Sequence, residues 1–352
     1  MKDKLTDANF PRTVDGRVYH LGIRSGEVAN RIITVGSPSR ARTISTHLDA
    51  LPTPFVLSSE RGFLTITGRY KGIPVSIVSI GMGHPNMDFF VREVRECVRG
   101  DMIVVRIGSC GALADVPVGS VAIPRACVAV MRDFNFEFEE GKEGDSPYLI
   151  SREAEADGEL HEKLKQAIDS VKPTSFTGAI VQGVNASADS FYSSQGRLTS
   201  FPDYNEELVE RIQREVKDVT TLEMETFHLY HLAKCWTLGR SKSATKQTHI
   251  PPVTTSPTEP TTSSPSQGAS NASPSGASNI SPSGPATPGN TKIRAAAVQM
   301  IFAARQSREF ISPEEVGALE GWTGKAVLDA LGGMEVRTED LHPEEGSVWA
   351  LK

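Results

Sequence analysis

Phe191, Gln195 and Arg197 bring together a flat aromatic face, an amide that donates and accepts along one planar edge, and a rigid fork of guanidinium donors. The carbonyl and imide edge of a pyrimidine demands these groups, so the segment reads as a base-recognition loop. The alternative is a polar surface loop that happens to carry an arginine. An acidic run, Leu222-Glu223-Met224-Glu225, follows, and Glu225 suits a pair of sugar hydroxyls. Upstream, Gly36 ends an apolar run and leads into Ser37-Pro38-Ser39-Arg40. A glycine there lets backbone approach a ligand, the turn's exposed amides favour an anion, and Arg40 adds charge; the same pattern also serves as a plain strand end. Arg106 sits inside the apolar run Met102 to Ile107, with Gly108, Ser109 and Gly111 where that run ends. A guanidinium in such a run is costly unless paired, so Arg106 calls for either an anionic ligand or an internal carboxylate.

Positioning these groups falls to short β-branched runs that alternate with helical patterns. Arg31 to Gly36, Val75 to Ile80, Met102 to Ile107 and Ser120 to Ile123 are bounded by Gly, Pro or Asp and predict buried strands. Between them, Asn86 to Val98 places Phe89, Phe90, Val94, Cys97 and Val98 at helical spacing, and Leu160 to Val171 behaves likewise. Near the C-terminus, Lys292 to Arg305 is apolar enough for a core strand. Ser312-Pro313-Glu314-Glu315 then opens a helix that runs towards Leu331, with a capping serine, proline at the first helical position and early acids. Alternation of this kind predicts an α/β fold: a single-domain, three-layer α/β/α arrangement about a central mixed β-sheet.

Residues 240–291 break this pattern. Within it, Pro251 to Gly289 is almost entirely Ser, Thr, Pro, Gly, Ala and Asn, and burial cannot offset an ordering cost of ~1–2 kcal/mol per residue. It predicts a disordered insertion within one domain spanning 1–352, whose core covers about 19–238 and 292–335, because the part beyond it is too small to bury a core alone.

Composition narrows the function classes. A formal charge of -6 over 352 residues provides no basic field for nucleic acid, so anion contacts must come from a few placed arginines. No stretch approaches the ~20 apolar residues needed to span a bilayer, and the N-terminus lacks an apolar leader segment, which together predict a cytoplasmic protein with no membrane partner. The 4 cysteines, Cys97, Cys110, Cys127 and Cys235, show no metal-ligand spacing and read as reduced core thiols. His228 and His231 share a helix face without a third ligand nearby, so no metal site is expected, and His84 and His161 read as surface or turn residues.

Taken in order, Tyr19 to Ile23, Val35 to Arg40, Ser59 to Phe63, Gly81 to Pro85, Arg106 to Ala112, Ser187 to Arg197 and Leu222 to Glu225 resemble the hexameric-type nucleoside phosphorylases, most nearly the uridine phosphorylases. The resemblance runs from about residue 19 to 235 and resumes at 292, and its Gln-x-Arg element marks the uridine-cleaving branch. It implies that Gly36, Arg40, Arg106 and Ser109 hold inorganic phosphate, a co-substrate, with Arg61 reaching it from a neighbouring subunit. His20, also from the neighbour, would join Glu225 and Met224 at the ribose. Phe191, Gln195 and Arg197 would take the base, lined by the strand Met300 to Arg305, so the insertion, lying just before that strand, is expected to bear on access to the site. The implied catalytic set is Arg106, Arg197, Gln195 and Glu225, in a homo-oligomer (a dimer or a trimer of dimers) with no cofactor. Some positions depart from the family. Ala303-Ala304-Arg305 replaces the aspartate region of purine-cleaving relatives, Ser37 replaces an aspartate and is expected to loosen a nearby arginine, and Gly62 replaces a glutamate, so no intersubunit cation is expected. Other readings that stay open are cleavage of another nucleoside, purines included, and a non-catalytic ligand-binding protein that kept the fold.

Overall fold

The computed structural model describes residues 4–139, 146–243 and 291–351. Most of the Ser/Thr/Pro-rich insertion expected over 240–291 therefore lies outside the described residues. Among them, an 11-stranded mixed sheet forms the centre of the molecule. In chain order it comprises β1 (Arg31–Val35), β2 (Phe55–Ser58), β3 (Leu64–Tyr70), β4 (Ile73–Ser79), β5 (Met102–Ala112), β6 (Val121–Arg132), β7 (Tyr148–Ile150), β8 (Ala154–Glu155), β9 (Ile180–Ala188), β10 (Val219–Glu223) and β11 (Ile293–Ala304). The helices are α1 (Pro38–Ser45), α2 (His84–Cys97), α3 (Gly158–Val171), α4 (Leu208–Glu215), α5 (Thr226–Ser243) and α6 (Pro313–Gly332).

The apolar runs are continuous because the sheet is covered on both faces. Successive side chains of a strand point to opposite faces, and here each face meets helices. Ile33, Val35, Ile103, Val105, Ile107 and Val298 join the core under α1, α3 and α6. Ile32, Val78, Val104, Ala295 and Ala297 join the core under α2 and α5. A third cluster unites α4, through Leu208 and Ile212, with Val184 and Leu222. This is the three-layer α/β/α arrangement expected from the alternation of elements.

One feature of the topology was not legible in that alternation. β5 pairs with β1 and β11 in parallel and with β10 antiparallel. β11 also pairs with β6, β6 with β9, and β9 with β10, so these strands close a ring within the larger sheet. The open arm β1, β4, β3, β2 extends from β5. The ring turns the carboxyl ends of β1, β4, β5, β9, β10 and β11 towards a common space, which is where ligands of α/β sheets bind.

The cysteines separate by environment. Cys97, Cys110 and Cys127 are buried, and burial pushes their thiols well up, that of Cys97 to about 12. Cys235 departs from the core-thiol expectation: it is exposed on α5, its Sγ 3.5 Å from Nε2 of His231, because it falls on the outward face of that helix. His161 departs in the other direction, being buried on α3, whereas His84, half-buried at the start of α2, stacks on His228 at 5.4 Å. Burial lowers the pKa of both.

Candidate active site

At the carboxyl end of the sheet lies a cavity of about 420 Å³. Gly36, Arg40, Arg106 and Ser109 line one part of it, Met224 and Glu225 another, and Phe191, Gln195 and Arg197 a third. Residues separated by up to nearly the length of the core thus share one space.

Arg106 reconciles the two requirements read from the sequence. Its Nη2 donates to Glu225 Oε2 at 2.8 Å, so an internal carboxylate neutralises it. Its Nε and Nη1 are buried and have no partner among the described residues. A guanidinium with donors left over on a cavity wall is equipped to take an anion. The adjoining wall is made by Gly36, whose absent side chain leaves Arg106 Nη2 at 3.6 Å from where a Cβ would stand. Ser37 and Arg40 meet through the backbone. Ser37 caps α1, its Oγ accepting from the Arg40 amide at 3.3 Å. The Arg40 guanidinium is held separately, by Glu320 of α6 at 2.7 Å and by the carbonyl of Ile107 at 3.3 Å. Burial lowers its pKa against the opposing pull of Glu320.

The Glu225 carboxylate is placed by two elements. The Gly83 amide, at the N-terminus of α2, donates to its Oε1 at 2.6 Å while Arg106 of β5 takes Oε2. Gly83 has φ of 94°, a conformation that glycine adopts without strain. Burial raises the Glu225 pKa, with Arg106 pulling the other way and Glu223 adding to the rise. Glu223 is the functional neighbour that sequence reasoning passed over. It is buried, accepts from Asn185 at 2.7 Å and from the Ser187 hydroxyl, and receives the backbone amides of Glu225 at 2.8 Å and Thr226 at 3.1 Å. It therefore satisfies the orphan donors at the start of α5 and fixes the turn that presents Met224 and Glu225. Its place in the acidic run was the available signal.

The base-recognition loop leaves β9 and forms a short helical turn, Ser193–Gln195, closed by Gly196 at φ of 60°. Arg197 stacks on the Phe191 ring at 3.9 Å, donates to the Phe191 carbonyl at 2.8 Å, and also donates to Gln195 Oε1. A guanidinium only donates, so Gln195 must turn its oxygen to Arg197, which orients its NH₂ donors. Arg305 holds this loop from β11, its Nη2 donating to the carbonyls of Gln195 at 2.8 Å and Gly196 at 3.0 Å. Burial, with Arg305 adding repulsion, lowers Arg197 to about 10. Phe302 lines the cavity as expected of the strand Met300 to Arg305; Met82 and Phe310, both exposed, line it without having been foreseen.

His20 and Arg61 do not reach the cavity within one chain. The His20 ring lies against Phe89 at 3.7 Å and its Nδ1 is 2.6 Å from Glu93. Arg61, exposed, stacks on Tyr19 at 4.2 Å. Beside it Gly62 has φ of 85°, so a glutamate there would be strained. The expected effect of the insertion on access falls on residues outside the described ones, and only the insertion's flank is seen. That flank enters β11 at Ile293, which pairs with Met102, whereas the cavity lies beside Met300 and Ile301, which pair with Ser109 and Cys110. Along the strand that is about 25 Å.

Comparison with known proteins places this geometry. A family model described as the phosphorylase superfamily matches residues 30–236. A uridine phosphorylase of Thermococcus kodakarensis is 32% identical over 244 residues, covering 68% of this chain and 79% of that protein. A DeoD-type purine nucleoside phosphorylase of Bacillus subtilis is 28% identical over 216 residues, covering 61% and 79% respectively. A solved structure from a study of two diverse uridine phosphorylases of the oomycete Phytophthora capsici superposes with a TM-score of 0.75 at 33% identity, covering 95% of this chain and 100% of that one. A Trypanosoma brucei nucleoside phosphorylase, at TM-score 0.64 and 21% identity over 92% of this chain and 100% of its own, shares the fold.

Proposed function

Since the chain belongs to the phosphorylase superfamily and is a pentosyltransferase of the nucleoside phosphorylase kind, we propose that the nucleoside it cleaves is uridine, with deoxyuridine or thymidine as further substrates. The observation that carries this reading is the Arg197–Gln195 pair, which faces the same cavity as Arg106 with its spare donors.

In this reading phosphate is held by Gly36, Arg40, Arg106 and Ser109, completed by Arg61 of a neighbouring subunit. A phosphate oxygen forms a bond to the anomeric carbon of the ribose as the bond to the uracil nitrogen breaks through an oxocarbenium-like state. The bonding pair leaves with the base, which takes a proton from solvent after departure. Ribose 1-phosphate and uracil are the products. Negative charge collects on the carbonyl edge of the departing base, where Arg197 and the oriented Gln195 amide donate. They favour the transition state over bound substrate, which is the condition for raising kcat. Glu225 accepts from the ribose hydroxyls, with Met224 beneath the sugar and His20 of the neighbour completing that contact; this role is one of positioning. The inventory calls for no metal or cofactor.

A purine reading draws on the similarity to the Bacillus subtilis enzyme. Against it, the position after β11 is taken by Arg305, which is engaged with the base-recognition loop and cannot protonate a purine nitrogen as an aspartate would. We further propose a single domain with the Ser/Thr/Pro-rich segment as an insertion, a cytoplasmic location and a homo-oligomer. Among the described residues, no helix is long and apolar enough to cross a membrane. The test is to incubate purified protein with uridine, thymidine, inosine and adenosine, with and without phosphate, and follow free base. Phosphate-dependent release of uracil is expected; turnover of inosine alone would overturn the assignment of Gln195 and Arg197.

A further inference from the structure

Arg106 is not alone in carrying buried guanidinium donors without a partner. Among the described residues, Arg95 of α2 has the same signature: its Nε and Nη1 are buried and unpartnered, and the residue is only 4% exposed. Its Nη2 alone is used, donating to the Val98 carbonyl at the end of the helix. Unlike Arg106, it has no carboxylate at salt-bridge distance among the described residues. Asp101 and Glu96 act on it through their charge, and burial lowers it to about 10. Holding a cation in this way is costly, since a buried charge is normally paired.

Arg95 lines a cavity of about 360 Å³ between α2 and α5. Phe10, Val91, Leu232, Trp236 and Ile293 supply apolar walls, and Cys235 and Glu96 lie at its margin. The Trp236 ring faces the Arg95 guanidinium at 5.4 Å, and its Nε1 donates to the Thr291 carbonyl at 3.1 Å, which fixes the indole. The other charges at the cavity are already engaged: Glu96 pairs with Arg12 at 2.9 Å and Arg92 with Asp88 at 2.8 Å. Among the described residues, the unspent charge at this cavity is therefore the cation of Arg95. The position is remote from catalysis, because Ile293 begins β11 at the end of the sheet opposite the first cavity.

We propose that this cavity is a second ligand site, which takes a small amphiphilic monocarboxylate. The carboxylate would accept from Arg95, and an aromatic or short aliphatic body would lie against Trp236, Leu232 and Val91. Apolar walls with one spare guanidinium suit this class better than a phosphate ester, whose higher charge needs several donors.

Phenylacetate and its uncharged analogue phenylacetamide test the proposal. The full-length protein, with phosphate and uracil present to fill the catalytic cavity, is titrated by calorimetry while tryptophan fluorescence is followed. Saturable binding of phenylacetate with a change in fluorescence is expected, weakened at least about tenfold for the amide and for Arg95→Gln. Leu232→Trp, which fills the cavity and keeps Arg95, should abolish binding as well, so a folding failure of one variant does not remove the test. Equal affinity for the amide, unchanged binding by both variants, absence of saturable binding, or displacement by phosphate or uracil would each overturn the second site.

Discussion

Arg197 does more than present charge, because it takes the Gln195 oxygen and so decides which way that amide faces. Arg197→Ala should lower kcat for uridine by ~10²–10³, the usual cost of losing one donor at a site of developing charge. Steady-state kinetics with saturating phosphate measure this, and full retained turnover would sink the account of leaving-group stabilisation. The same pocket makes a pH argument. Burial raises the Glu225 pKa above its ordinary value, so the carboxylate proposed to accept from ribose is lost on acidification sooner than an exposed glutamate would be. Arg197, lowered to about 10 by burial and by Arg305, keeps its charge at neutral pH. The kcat/KM profile should therefore show an acid limb above the normal glutamate range. Glu225→Gln should abolish that acid limb in whatever activity survives; persistence of the limb would assign it to another group.

Two close approaches between elements set the geometry of the site. β5 and β11 meet where Gly108 lies beside Gln299, and a Cβ on Gly108 would stand 2.1 Å from Gln299 Oε1. Gln299 in turn donates to Thr226 Oγ1 at 2.6 Å, at the start of α5 and next to Glu225. Gly108→Ala should therefore cost about 1–3 kcal/mol through overpacking and reduce kcat by displacing that turn. Urea denaturation and turnover measured together check both effects, and an unchanged midpoint would show that Gln299 is free to move. The second approach is the hold of β11 on the base-recognition loop through Arg305. Arg305, which reads as the end of an apolar strand, thus belongs with the residues that hold the segment from Phe191 to Arg197 in place.

The isolated chain does not bring every expected site residue together, and His20 and Arg61 define an assembly-dependent prediction. If they serve a neighbour's cavity, Arg61→Ala and Arg197→Ala proteins, each nearly inactive, should regain activity when unfolded and refolded as a mixture, since mixed oligomers contain one intact site. Light scattering alongside the assay gives the mass, and an active monomer would refute the shared site. Much of this was legible beforehand. The strands around Ile32, Val104 and Val298, the capped start of α6 and the chemistry of Phe191, Gln195 and Arg197 follow from local pattern, because periodicity, capping and side-chain chemistry are properties of neighbouring residues. The exposure of Cys235 and the burial of His161 were not legible, since they depend on which helix face meets the sheet. Nor were the closed ring of strands, the role of Glu223 and the distance of the insertion's flank from the cavity. Amino-acid sequence by itself determined the chemistry of the groups proposed to bind phosphate, sugar and base. Only tertiary structure decided that Arg106 both pairs with Glu225 and keeps donors to spare, because the partner of a buried charge is chosen by contacts between strands far apart in the chain.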